Sequence, residues 1–320
     1  MLEINLSGPI SFYDGAVTLR FDKDNHAYHL MLPDGTSEIQ EGVTTISNIL
    51  DHSFYLLPWA TKMMYLKLLK TVPRTSDISG DSRMDWVSPL RWTEFDALLQ
   101  EAKGAHREKF EYAADVGHLA HSWIEESIKH AIAKNDGIVE KMHPTAPDNE
   151  QAVNCGLAAL KWMQAHNVRW ISTERKVYSR EYCYAGTLDG LATCDSCTDP
   201  ACCHTFFMDE LSVIDWKSSN HLRIEYLYQT AAYQNAYQEE HLVDIKSRWI
   251  LRLGKEDGEF EAWYETDFEQ DLKAFIACLN LYRLNKAVEQ RMRDLKKLKT
   301  FRKREEKKAA KPVKKKKGDQ

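Results

Sequence analysis

No run of apolar residues in this sequence approaches the eighteen or so that cross a bilayer, so no membrane partner is expected. The first residues, Met1-Leu-Glu-Ile-Asn5, lack a basic segment followed by an apolar one, which argues against a cleaved secretion signal. A disulfide ladder is also missing. Four of the seven cysteines crowd between 194 and 203 while Cys155, Cys183 and Cys278 are scattered, a usage that fits a reducing, cytoplasmic setting and a metal-binding cluster. Positive charge is scarce over most of the chain: residues 1–290 hold 28 Lys and Arg against 44 Asp and Glu, a net −16. Residues 291–320 reverse the sign with fifteen against four, a net +11, so attraction to phosphates is expected to reside in this tail.

What is present suits a soluble globular protein. Hydrophobic residues make up 43% and charged residues 28% of 320, enough for a full core in one large domain, with or without appendages. The chain is organised around residues 184–237. Tyr184-Ala-Gly-Thr-Leu-Asp189-Gly and Val213-Ile-Asp215-Trp-Lys217 read as neighbouring strands, each delivering a carboxylate. Side chains alternate along a strand, so Asp215 and Lys217 share a face. Two acids and an ammonium at a sheet edge suit a divalent hard cation, with the lysine orienting a hydroxide that attacks phosphorus. The plainer alternative is two strand-end acids and a salt-bridge partner. Burying such charge among Val213, Ile214 and Trp216 would then lack a reason.

Residues 1–71 read as a strand meander followed by helices. Val17–Phe21 and Ala27–Leu32 are strands, Pro33-Asp-Gly35 is a turn, and Val43–Leu50 is a helix capped by Thr44 or Thr45. A second helix starts at Leu57 with Pro58 in its first turn. Residues 72–91 form a polar loop. A core follows over 92–290, with a Cys-rich insertion at 194–204. The pattern from Trp92 to Asn135 is helical and is expected to break near Ala114-Asp-Val-Gly117. His121 and Glu125 are four apart on that helix and share a face. Gln151–His166 is an amphipathic helix and Val168–Ser179 a strand, whose Glu174 lies beside Asp189 and either joins the site or is an exposed acid. Cys194, Cys197, Cys202, Cys203 and His204 offer five soft ligands within eleven residues, from which a zinc knuckle needs four. Simple reduced cysteines are the alternative. Tyr226, Gln229, Tyr233 and Tyr237 fall on one face of a helix over 224–240. Arg248–Leu253 and Glu259–Tyr264 make a hairpin, and Asp267 caps a helix expected to run to about Gln290. The basic tail from 291 loses apolar periodicity after Phe301, with its last dozen residues expected to be disordered. A phosphate-binding arm, a recruitment or import signal, and a solubilising tail all remain open readings of it.

Gly186-Thr-Leu-Asp189, Ile214-Asp-Trp-Lys217 and Gln229-Thr-Ala-Ala-Tyr233 together resemble the PD-(D/E)XK nuclease superfamily, and within it the RecB-type branch that includes many phage-encoded exonucleases. The likeness covers roughly residues 110–265. Leu188 stands where the family name has proline. The order His26-x-Tyr28, Val43-Thr-Thr, Trp59-Ala60 is similar to the opening of phage nucleases of this branch. The resemblance implies an α/β fold: a restriction-endonuclease-like core with a central mixed β-sheet flanked by helices, a small N-terminal α/β unit and a basic C-terminal tail. It also implies that Gly117-x3-His121 supplies a histidine to the metal, and that Gln229 and Tyr233 lie beside the site, contacting DNA or positioning Lys217. Glu125 would then be a supporting partner of the imidazole or a solvated acid.

The expected activity is a Mg²⁺-dependent deoxyribonuclease, with His121, Asp189, Asp215 and the Trp216 carbonyl around Mg²⁺ or Mn²⁺ and Lys217 acting on the attacking water. DNA ends are the expected partner, with a recombination or single-strand-binding protein as a possible second one, in the host cytoplasm if the gene is a phage's. Resemblance alone favours exonuclease over endonuclease and DNA over RNA. Some relatives carry an iron–sulphur cluster, but their cysteines flank the core at both ends, and those outside the insertion here are scattered. Two rivals stand: a structure-specific endonuclease, and a zinc-knuckle nucleic-acid-binding protein with a relict nuclease core.

Overall fold

A computed structural model of the chain describes residues 7–50, 53–71, 92–195, 197–198 and 210–309, leaving the side chains of 53–55, 92 and 307–309 aside. The expected loop over 72–91, Cys202, Cys203, His204 and the last eleven residues lie outside the described residues.

Among the described residues nine strands build one mixed sheet. In chain order they are β1 (Ile10–Phe12), β2 (Val17–Asp22), β3 (Ala27–Met31), β4 (Ser37–Gly42), β5 (Val168–Ser179), β6 (Tyr184–Cys194), β7 (Ser212–Lys217), β8 (Ser247–Leu253) and β9 (Phe260–Glu265). The first four form an antiparallel meander, with Gly35 at φ +81° turning β3 into β4 at the expected Pro33-Asp-Gly turn. The meander belongs to the same sheet as the rest, because Glu41 and Gly42 pair in parallel with Tyr184 and Ala185 of β6.

β6 is the hub. One of its edges is covered along its whole length by antiparallel β5. Its other edge is shared: β4 takes the first two residues and β7 takes Gly190 to Ala192. β7 continues past that pairing as a parallel partner of β8 up to Lys217 and Arg252. The sheet therefore forks between β4 and β7, and the carboxylates lie at the fork.

Helices cover both faces, and β7 and β8 are accordingly buried along nearly their whole length rather than at alternate residues. On one face α4 (Ala105–Ala133) and α5 (Glu150–Ala165) bury Ile124, Ile128 and Trp162 against Trp170, Ile214, Trp216 and Trp249. On the other, α1 (Val43–Ser47), α6 (Ile224–His241) and the start of α7 (Phe268–Ala309) bury Ile46, Tyr233 and Phe275 against Val177, Leu191 and Val213. Asn149 caps α5 by accepting from the Ala152 N–H at 3.0 Å. Asp267 caps α7 through the Gln270 N–H at 3.3 Å.

Four local expectations change. The helical run from Trp92 breaks at Gly104, between α3 (Trp92–Lys103) and α4, and passes unbroken through Gly117. Gly117 serves a close approach instead, since a Cβ there would stand 2.8 Å from Ser218 Oγ. α1 starts after Gly42 with no side-chain cap, and Thr44 bonds elsewhere. α2 (Ser53–Thr71) begins at Ser53 rather than Leu57, which places Pro58 inside it. α7 continues well past Gln290, because Leu281, Leu284, Val288, Leu295 and Leu298 keep a helical period although all are exposed. Among the described residues no helix is long and apolar enough to cross a membrane.

Candidate functional site

The site begins with a sheet that changes faces. Gly186 packs against Tyr233 and Leu188 belongs to the α6-side core, whereas Gly190 abuts Trp170 and Ala192 belongs to the α4–α5 side. Simple alternation would keep these even-numbered residues on one face. The reversal falls at Asp189, flanked on β5 by Glu174, whose φ is +49°. A left-handed glutamate inside a strand is an uncommon, strained conformation. Its effect is to bring the Glu174 carboxylate to the fork beside Asp189.

Across the fork, the β6–β7 ladder ends at Gly190–Ile214. The next pair in register would be Asp189 with Asp215. In its place, Asp189 Oδ2 accepts the Trp216 N–H at 2.7 Å, so a side chain satisfies the amide left by the missing rung. Thr173 Oγ1 donates to the Asp189 carbonyl at 2.8 Å and holds that residue from the β5 side.

Asp215 is 1% exposed and its Oδ2 lies 2.6 Å from Lys217 Nζ, which confirms that the two share a face. Lys217 Nζ also donates to Gln229 Oε1 at 3.2 Å and sits 4.7 Å over the Tyr226 ring. The Gln229 amide nitrogen donates to Tyr233 OH at 2.7 Å and to Thr44 Oγ1 at 3.3 Å. The two residues of the Gln-x3-Tyr motif thus form one chain of hydrogen bonds that orients the lysine. Gly186 leaves room for the Tyr233 ring, because a Cβ there would come within 2.6 Å of it.

From α4, His121 Nδ1 reaches to 3.9 Å from Asp189 Oδ2. One donor atom each from His121, Glu174 and Asp189 lie within 4.8 Å of one another. That is compact enough to face a single cation, whose opposite ligands stand about 4.2 Å apart around Mg²⁺ and farther around Ca²⁺. Asp215 is directed at Lys217 and is outside this trio. Glu125, considered as a partner for the imidazole, pairs with Lys129 at 2.7 Å instead. His118, His121, Glu125, Glu174 and Ser218 line an open cleft of roughly 460 Å³ that leads from solvent to the trio.

The electrostatics are those of a buried acid cluster. Burial, with the Asp189 and Glu125 charges, pushes Glu174 up to about 7. Burial also raises Asp215, to about 6, with Asp189 adding to the rise and Lys217 opposing it. Asp189 is raised by burial as well. Burial and the neighbouring Lys217 charge lower His121 to about 4, so its ring is neutral and able to act as a ligand near neutral pH. Burial works to lower Lys217, but Asp215 and Asp189 outweigh it and hold the ammonium charged.

The structure therefore gathers His121, Asp189, Asp215, Trp216, Lys217, Gln229 and Tyr233 in one place. It adds Glu174, which the sequence left open, and Thr44 and Tyr226 as supports of Gln229 and Lys217. Of the Cys-rich insertion, Cys194 and Cys197 are among the described residues, and neither belongs to the His121–Glu174–Asp189 group. Cys194 is buried in the α4–α5-side core, which raises its thiol to about 12, and Cys197 is half-buried beside His166. No family model matches the chain, and no curated protein matches it.

Proposed function

We propose that the protein is a metal-dependent DNA nuclease with a restriction-endonuclease-like core of the PD-(D/E)XK type, and that it hydrolyses phosphodiesters as an exonuclease. The observation that carries this reading is the forked pair β6–β7, which presents Asp189, Asp215 and a Gln229-oriented Lys217 around one gap. His121, Glu174 and Asp189 would hold Mg²⁺ or Mn²⁺, with Asp215 and the Trp216 carbonyl at the margin of the same gap. A bound cation supplies neutralisation of the phosphate and a more acidic water. Lys217, charged and fixed by Asp215 and Gln229, places a hydrogen-bond donor where the attacking oxygen and the phosphoryl charge meet. The neutral His121 ring and the carboxylates match the mixed nitrogen and oxygen donors that Mn²⁺ accepts along with Mg²⁺.

The test is cleavage of end-labelled linear DNA with Mg²⁺, alongside a closed circle. Wild-type protein should degrade the linear substrate, and chelation should stop it. Asp215→Ala and Lys217→Ala should each lower cleavage by at least ~10³-fold while leaving DNA binding and circular dichroism near wild type. Full activity in either variant would sink the assignment. Cutting of the closed circle would move the reading to a structure-specific endonuclease.

A further inference from the structure

Next to the acids of the fork, along the same two strands, lies a set of side chains that can only attract an anion. Val177 and Leu188 turn into the α6-side core. Their neighbours Lys176 and Thr187 therefore turn to the opposite face, where Phe12, Leu19 and Tyr28 of the meander pack with Tyr178 and Ala185. Lys176 and Thr187 are direct cross-strand partners, which sets the roots of their side chains about 5 Å apart. β5 and β6 run antiparallel, so Glu174 and Asp189 lie in the same direction from this pair, about 6.6 Å farther along.

The meander completes the set. Tyr28 OH and Thr187 Oγ1 share one hydrogen bond of 2.8 Å. Two hydroxyls carry two protons and that bond uses one, so the pair keeps a donor with no acceptor among the described residues. Phe21 is the cross-strand partner of Tyr28, their ring centroids 5.0 Å apart, and the Lys176 ammonium rests 5.1 Å from the Phe21 centroid. Lys176 is half-buried, yet among the described residues no carboxylate pairs with it, which leaves its N–H groups for an incoming acceptor. The charges of Glu174 and Glu125 act on Lys176, and that of Glu174 acts on Tyr28, so the set is within electrostatic reach of the trio.

We propose that Lys176, Thr187 and Tyr28 form a subsite for a second phosphate of the bound strand, the one adjoining the phosphate that is cut. The inference rests on the nuclease reading and names which part of the substrate these residues hold. An ammonium and an unspent hydroxyl proton are the donors that a phosphodiester oxygen takes. The step of about 6.6 Å from the acids to Lys176 and Thr187 is comparable with the separation of neighbouring phosphates on an extended strand. A strand seated in both places runs from the cation site toward the meander, so its cut linkage needs a charged neighbour on that side. The competing account is structural: the Tyr28–Thr187 bond fastens the meander to β6, and Lys176 does no more than cover Phe21.

The first measurement reads binding without turnover: the full chain, with Ca²⁺ in place of Mg²⁺, is titrated with single-stranded oligothymidylate over a range of salt. Lys176→Gln should weaken binding at least ~10-fold and lower the slope of log K against log salt by about 0.7, the share of one phosphate on a single strand. Thr187→Val keeps the shape without the hydroxyl, and should weaken binding at an unchanged slope. Both variants should keep the wild-type circular dichroism and bind Mn²⁺ no more weakly than wild type. Absence of binding by wild type, or an unchanged slope in Lys176→Gln, overturns the subsite; beside normal cleavage it leaves the nuclease reading standing. A lowered slope in a protein that cuts nothing keeps the phosphate subsite and removes the nuclease reading instead. The second measurement locates the phosphate, using strands with one uncharged methylphosphonate beside the linkage that is cut. On one side of the cut this linkage should slow wild type at least ~10-fold and Lys176→Gln hardly at all, because the variant has already lost that contact. Equal slowing of the two proteins on both sides would overturn the assignment.

Discussion

Glu174 shows how much of a site can rest on one torsion angle. Its φ of +49° carries its carboxylate to Asp189 and His121, and burial there raises it to about 7. A carboxyl whose folded value is raised holds its proton more tightly in the native state. It therefore adds stability at low pH that is lost as pH rises through the folded value. His121 is lowered to about 4, and its opposite contribution, a rise in stability with pH, is complete only about one unit above the ordinary value of 6.5. Between pH 6 and 8 in chelator, Glu174 gives the largest change, and its fall together with that of Asp215 exceeds the remaining rise from His121. The melting temperature should fall across that range, by the equivalent of about 1 kcal/mol, and Glu174→Gln should flatten the fall. A wild-type profile level from pH 6 to 8 would contradict this. Gly186→Ala is a second case at this scale. Its Cβ would meet the Tyr233 ring at 2.6 Å and Val43 at 3.0 Å, so the variant should lose about 1–3 kcal/mol in denaturant melts and slacken the hold on Lys217. Asp215 and Lys217 are legible as a pair because a two-residue spacing on a strand fixes a shared face. Glu174 is not, since a glutamate carries no mark of a left-handed backbone as glycine or asparagine would.

The fork between β6 and β7 is where element geometry becomes chemistry. Asp189 both faces the candidate cation site and receives the Trp216 N–H, so it acts on structure as well as on charge. Asp189→Asn keeps an oxygen acceptor and should hold β7 in place while weakening cation binding. Asp189→Ala leaves the amide without its partner, and should cost about 1–3 kcal/mol and speed amide exchange at Trp216 relative to Asn. Similar exchange in the two variants would deny Asp189 its structural role. The strands of this region are readable almost residue for residue. Val168–Ser179 matches β5, and the hairpin of β8 and β9 lies where turn residues and alternation place it. Helix boundaries are less legible, because a glycine has more than one use. Gly117 looks like a break and proves to be a point of close approach to Ser218, while the break falls at Gly104, with a φ that any residue adopts. Nothing local distinguishes the two, since the difference lies in what packs against them.

At the scale of the molecule, an acidic body carries a basic helix. The sequence puts the end of that helix near Gln290, because charge density rises there and apolar residues thin out. The described chain stays helical to Ala309, and its described side chains from Leu284 to Glu306 are exposed. If this helix is the phosphate-binding arm, removal of residues 291–320 should weaken DNA affinity and reduce the slope of log K against log salt, by about 0.9 for each phosphate that the tail neutralises. An unchanged slope would assign the tail another task.

The length of that helix has a further consequence. Twenty-six residues from Leu284 to Ala309 extend about 39 Å at 1.5 Å each, close to one full turn of a DNA duplex. Such a lever can touch backbone some eleven base pairs away from where it leaves the body. A hydroxyl-radical footprint of the intact protein should then overrun that of the shortened one by up to that distance, so that an enzyme working at a terminus would also grip the track it is travelling along.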